Sequence, residues 1–188
     1  MGQSRGKTDA EKKKRKRQQG FNIIVLAITF IVIAFITVYT LTSPTYVMLP
    51  AYLNTCIPKA GTPVYISTPQ VVIKINGQTQ SIPSNIGIQG SCIRPISTRS
   101  NAGIIHIDAF ENVTYHLGDF FLIWGNTFGA QYGTFTPNQI FNYKTGGNHT
   151  LTMTVNNATD TRFQDYPFPT NANFTSRTTA NDILIVYS

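Results

Sequence analysis

The chain has 188 residues, with 15 Lys and Arg against 8 Asp and Glu and only two cysteines. That length has room for one ordinary domain plus an appendage. The basic excess belongs to one end: residues 1–20 carry eight basic and two acidic side chains, whereas everything after Gly20 carries seven basic and six acidic ones.

The basic run "KKKRKR", Lys12 to Arg17, is followed almost at once by "FNIIVLAITFIVIAFITVYTL", Phe21 to Leu41, which has no charged residue. As a helix rising about 1.5 Å per residue, such a stretch is roughly 32 Å long and matches a hydrocarbon core of about 30 Å. Cations beside an apolar span stay on the cytoplasmic side and rest against anionic headgroups. Membrane lipid, not nucleic acid, is therefore the expected partner of the tail. The predicted organisation is a cytoplasmic tail over 1–20, a single transmembrane helix over 21–42, a stalk over 43–62 and an extracytoplasmic domain over 63–188. Pro44, Pro50 and Pro58 interrupt any helix continuing from the membrane into the stalk.

Three other fates of the N-terminus have their own sequence signatures. A cleaved secretory signal has a shorter apolar core and a small-x-small site, which "TVYTLTSPTYVMLP" supplies poorly. The junction "RKRQQGFNIIVL" resembles that of a type IV prepilin, with cleavage between Gly20 and Phe21, although Val25 stands where many pilins carry Glu. N-myristoylation is disfavoured because "MGQSRG" places Gly6 where Ser or Thr is needed.

From Pro63 onward the chain is dense in Thr, Ile, Val, Phe and Tyr, with turn residues at short intervals. This predicts a mainly β domain with one short helix, of the small α+β or β-sandwich-like kind. In "VVIKINGQTQSIP", Val71 to Pro83, Asn76-Gly77 sits between two alternating runs, as a tight type I′ hairpin requires. "HTLTMTVNNATDTRF", His149 to Phe163, repeats the pattern with Asn156-Asn157 at the turn and Leu151, Met153 and Val155 on one face. "NDILIVYS" closes the chain with a strand from Ile183 to Tyr187, central because it is almost wholly apolar.

Cys56 and Cys92 both fall outside the membrane in this topology, where paired thiols form a disulfide. Closing such a loop of about 36 residues is worth roughly 3–4 kcal/mol in the chain-entropy model. Four N-x-Ser/Thr sequons, at Asn112, Asn148, Asn157 and Asn173, occupy turn or loop sequence on the same side and suit a glycosylated surface.

The stretch "HIDAFENVTYHLGDFFLIWG", His106 to Gly125, is the densest in chemistry-bearing residues. "GIIHIDAF" alternates as a strand, "EN" turns, and "VTYHL" is expected to return beside it, with His106 and Asp108 on the face opposite Ile105 and Ile107. Adding His116 from the returning strand would complete a His-Asp-His set suited to zinc or copper. The competing reading is a solvated hairpin face. Leu117, Phe120, Phe121 and Trp124 then recur at helical spacing, with Asp119 at the positive end and Gly125 as the expected stop. These aromatics are read as core, carbohydrate stacking being the alternative. No nucleophile elbow, phosphate-cradling glycine loop or HExxH occurs, so no enzyme and no cofactor is expected.

The runs "QSIPSNIGI", "SCIRPISTRSNAGIIHID" and "YHLGDFFLIWG" resemble a family of membrane-anchored extracytoplasmic small β-rich domains of archaea and bacteria, over roughly Val71 to Ser188. Relatives often carry a His-Thr-His-Asp element where this chain reads "ISTRS", Ile96 to Ser100, which leaves His106 as the one matching histidine. No activity is attached to the family, so the resemblance implies topology more than chemistry. The expected function is a structural or interaction role at the cell surface, with membrane or cell-envelope proteins as partners. A pilin-like subunit and an extracytoplasmic metal-binding domain are the alternatives.

Overall fold

The computed structural model describes residues 25–34, 47–169 and 181–188. The chain divides into two compact units, Met1–Pro44 and Thr45–Ser188. In the first, residues 25–34 are helical, and apolar side chains such as Leu26, Ile28, Phe30 and Ile31 are exposed. The basic tail, the Gly20–Phe21 junction and both ends of the expected span lie outside the described residues. Among the described residues no helix is long and apolar enough to cross a membrane.

The second unit is mainly β. Its first strands are β1 (Tyr65–Ser67), β2 (Gln70–Ile75), β3 (Gln78–Gln80), β4 (Ile88–Gln89), β5 (Cys92–Ile93), β6 (Ile96–Thr98) and β7 (Ile105–Ala109). Helix α1 (Leu117–Phe128) comes next. It is followed by β8 (Phe135–Thr136), β9 (Gln139–Ile140), β10 (Tyr143–Lys144), β11 (Leu151–Val155), β12 (Ala158–Thr159) and β13 (Asp182–Tyr187). Single 3-10 turns occur at Ala130–Tyr132 and Phe163–Asp165.

The largest sheet has the order β12-β11-β13-β2-β3. The apolar closing strand β13 does take its centre, parallel to β2 with Ile185 opposite Ile73, and antiparallel to β11 with Ile185 opposite Met153. Both hairpins form as read. Ile75 faces Gln78 across Asn76-Gly77 (φ 49° and 79°), and Val155 faces Ala158 across Asn156-Asn157 (φ 51° and 65°). A type I′ turn needs positive φ at both central residues, which Asn and Gly adopt at least strain. The remaining strands form β1-β7-β6, β10-β9-β8 and β4-β5. Among the described residues the domain is thus an assembly of small sheets, not two large sheets face to face.

One continuous core joins these sheets to α1. Leu117, Phe120, Phe121 and Ile123 are fully buried and Trp124 nearly so, which bears out the apolar face read at helical spacing. Phe121 stacks on Phe135 of β8 with ring centroids 4.5 Å apart.

Gly125 does not end the helix. α1 continues to Phe128, and Gly129 follows as its cap. The reason for glycine is close approach: a Cβ at Gly125 would lie 2.5 Å from the Gly133 Cα and 2.7 Å from the Val47 side chain. Gly125→Ala gains about 1 kcal/mol of helix propensity. Forcing a methyl group against backbone costs about 3 kcal/mol, the upper end for overpacking. The expected net loss is about 2 kcal/mol, read as a lower urea midpoint; a variant as stable as the parent would contradict the close approach.

The stalk is the largest departure from expectation. Leu53 is fully buried, and Leu49 and Tyr52 pack against the core. The Asn126 side-chain amide donates to the Val47 carbonyl at 2.8 Å. Cys56 is bonded to Cys92. Residues 47–57 therefore pack with the domain, while 58–62 are exposed. Proline prevents a helix here but not burial, and the apolar side chains between Pro50 and Pro58 supply the packing.

Candidate functional site

Strand β7 is the centre of its sheet, and its alternation is clean: Ile105, Ile107 and Ala109 are fully buried, while His106 and Asp108 are half-buried on the other face. Asp108 is held by Arg99, whose guanidinium lies 3.1 Å from its carboxylate. The partners of β7 are β1, with Ser67 opposite Ile107, and β6, with Ser97 opposite His106.

The expected hairpin return is absent. Val113 to Tyr115 form no strand, and His116 makes only an isolated bridge with Pro167. A ladder to β7 was already filled on both edges by β1 and β6, so the following segment had no open edge to join. The structure accordingly does not bring His106, Asp108 and His116 together. Among the described residues no group of three or more His, Cys, Asp or Glu could hold a metal ion.

His116 instead caps α1. Its backbone N–H donates to the Asp119 carboxylate at 2.9 Å, and its Nδ1 lies 3.9 Å from the same oxygen. The other Asp119 oxygen accepts the Tyr52 hydroxyl at 2.7 Å. Both oxygens of this buried carboxylate are thus engaged, one on the helix terminus and one on the segment before β1. Carboxylates at this position also suit the helix dipole. A cleft of about 420 Å³ opens beside the cluster, with Phe135, Gln164 and Asp165 on its walls. It contains no serine or cysteine nucleophile, and its one buried carboxylate is committed to structure.

The tyrosines around this cap carry a pH signature. Burial foremost, then Tyr65, Glu111 and Asp119, push the Tyr115 phenol up to about 12. Burial likewise raises Tyr52, helped by its bond to Asp119, and raises Tyr65. In the unfolded chain these groups ionise near 10. The stabilisation from keeping them neutral is therefore complete below pH 10 and is lost as pH rises towards 12, where the unfolded chain ionises first. Alkaline unfolding is expected in that window, with phenolate absorbance from the buried tyrosines rising together with loss of structure. Free ionisation of all nine tyrosines near pH 10 in the folded protein would contradict it.

Three sequon asparagines, Asn112, Asn148 and Asn157, are exposed in turns or loops, while Asn173 lies outside the described residues. The Cys56–Cys92 disulfide is present, closing a separation of 36 residues. Two features escaped sequence reasoning. Arg94 is a buried cation whose hydrogen-bond partners among the described residues are all neutral oxygens. A second concavity is built on Trp124 with Tyr132, Phe141 and Tyr143. The density of aromatics after Gly125 was the one available signal for the latter. Comparison with known proteins finds no matching family model, no matching curated protein and no matching solved structure.

Proposed function

We propose that this protein is a single-pass, membrane-anchored domain with its N-terminus in the cytoplasm, its β-rich unit outside, and a structural or interaction role at the cell surface. The observation that carries the reading is the Cys56–Cys92 bond, which uses every cysteine in the chain. Structural disulfides persist in oxidising, extracytoplasmic compartments. Three further features support it. Residues 25–34 form a helix whose apolar side chains are uncovered. The flanking sequence carries the basic cluster expected on the cytoplasmic side. Three sequons stand exposed on the β-rich unit. The resemblance to membrane-anchored extracytoplasmic domains points the same way, and glycosylation at these asparagines belongs to the same proposal.

Anchorage and compartment are tested together on native membranes. Both thiols are expected to resist a maleimide until a reductant is added, and protease applied outside opened cells is expected to digest the C-terminal unit. Thiols that react without reduction, or a C-terminal unit sheltered from external protease, defeat the proposal. Intact mass separates the pilin-like alternative, which requires a mature chain beginning at Phe21.

A further inference from the structure

The C-terminal half of α1 underlies a groove of unusual composition. Two adjoining concavities of about 390 and 300 Å³ share Ser81, Trp124 and Tyr132. Trp124 lies at the floor, 1% exposed, and Tyr132 stacks flat on it with centroids 5.2 Å apart and planes within 4°. Tyr143 in one concavity and Phe128 in the other are 43% and 40% exposed. Core packing accounts for Phe120 and Phe121, which are fully buried. It does not account for aromatic rings left in solvent around one depression.

The polar groups in the larger concavity are Gln80, Ser81, Gln131 and Asn142, with the tyrosine hydroxyls. Neither concavity is lined by Asp, Glu, Lys, Arg or His. A phosphate, carboxylate or ammonium ligand would be desolvated there without a counter-charge. Amides and hydroxyls, by contrast, each donate and accept, as a ligand with many hydroxyls demands. The Trp124 indole Nε1 is buried with no acceptor among the described residues. A buried donor left unsatisfied costs about 1–3 kcal/mol, and buried indole N–H groups usually find a partner. The combined volume is that of a small-molecule site with an apolar, aromatic lining and a few polar groups to orient the ligand.

A flat apolar face and a ring of neutral hydrogen-bonding groups describe the complement of a sugar ring. We propose that this groove binds a neutral saccharide: its C–H face lies against the aromatic rings and its hydroxyls meet Gln131 and Asn142. This inference rests on the interaction role proposed above and gives that role a ligand class.

Trp124 is the only tryptophan in the chain, so all indole fluorescence comes from the floor of the groove. The full chain, purified in a zwitterionic detergent free of sugar headgroups, is titrated with maltotriose, cellotriose, chitotriose and mannotriose. At least one is expected to give a saturable change with a Kd of about 1 mM or tighter. Tyr143→Ala and Gln131→Ala, both at exposed positions, are expected to weaken it at least about tenfold while the thermal midpoint holds. Trigalacturonate, an anion the groove has no cation to hold, is expected to give no change. Absence of saturation with all four neutral sugars overturns the proposal, as does undiminished binding in both variants or a response to trigalacturonate alone. Because the titration uses purified protein, its failure leaves the topology result untouched, and a failed topology leaves the titration readable.

Discussion

Arg94→Met is expected to lower stability by about 2 kcal/mol, although Arg94 has no acidic partner among the described residues. Arg94 is 7% exposed. One terminal nitrogen donates to the Leu53 carbonyl at 3.3 Å and to the Asn54 side chain at 2.9 Å. The other donates to Gln89 and Asn126, each at 3.3 Å. Burial lowers its pKa from the ordinary arginine value, yet arginine stays charged at any pH the fold survives. A cation is thus enclosed by neutral oxygens from three segments: the stretch before β1, the β4–β5 hairpin and α1.

Two terms oppose each other in the substitution. Methionine removes the cost of burying a charge, which amounts to several kcal/mol. It also leaves four oxygens without their donor, at about 1–3 kcal/mol for each that water cannot reach; Asn54 and Gln89 are exposed, so this cost falls on the Leu53 carbonyl and in part on Asn126. The second term wins because the Leu53 carbonyl is fixed and buried and because the tie between three segments is lost with the fork. Lysine should not rescue the variant, since one ammonium on a flexible stem cannot reproduce a planar fork across three segments. Urea unfolding is the measurement, with a lower midpoint and an unchanged slope expected. A change within about 0.5 kcal/mol, the range of an ordinary surface substitution, would show that the fork is not holding these segments.

Loss of the disulfide is the second large effect. For a separation of 36 residues, the chain-entropy relation gives about 3–4 kcal/mol lost in the Cys56→Ser/Cys92→Ser double variant. The bridge acts where Arg94 acts. Cys92 and Ile93 form β5, the Ile57 N–H donates to the Ile93 carbonyl at 2.7 Å, and Arg94 reaches back to Leu53 and Asn54. Both devices pin residues 53–57 to one strand. Combining the cysteine variant with Arg94→Met should therefore cost less than the sum of the separate losses, because a segment released once has less left to lose. Strict additivity would mean that the two ties hold independent parts of the fold.

How much was readable in advance depended on the range of the interaction. The two hairpins were legible because Asn76-Gly77 and Asn156-Asn157 state their own backbone requirement, and the runs on either side alternate. The buried face of α1 was legible from the spacing of Leu117, Phe120, Phe121 and Trp124. The cysteines could be paired because no others compete. The His106–Asp108–His116 set failed for the opposite reason. Its geometry required β7 to pair with the segment next along the chain, whereas β1 and β6 took both edges. Gly125 was misread as a stop because sequence shows that a side chain is missing but not what occupies the space.

Sequence by itself determined the charge asymmetry, the apolar run from Phe21 to Leu41, the turn positions, the strand alternation and the central place of the last strand. Each follows from local backbone preference or from a period of two or 3.6 residues. Tertiary structure alone decided that residues 47–57 pack with the domain, that Arg94 is buried among neutral oxygens, and that Tyr132 and Tyr143 gather around Trp124. Those arrangements join parts of the chain that are distant in sequence. They are selected by which surfaces exclude water and satisfy buried polar groups together, and no single stretch of residues carries that information.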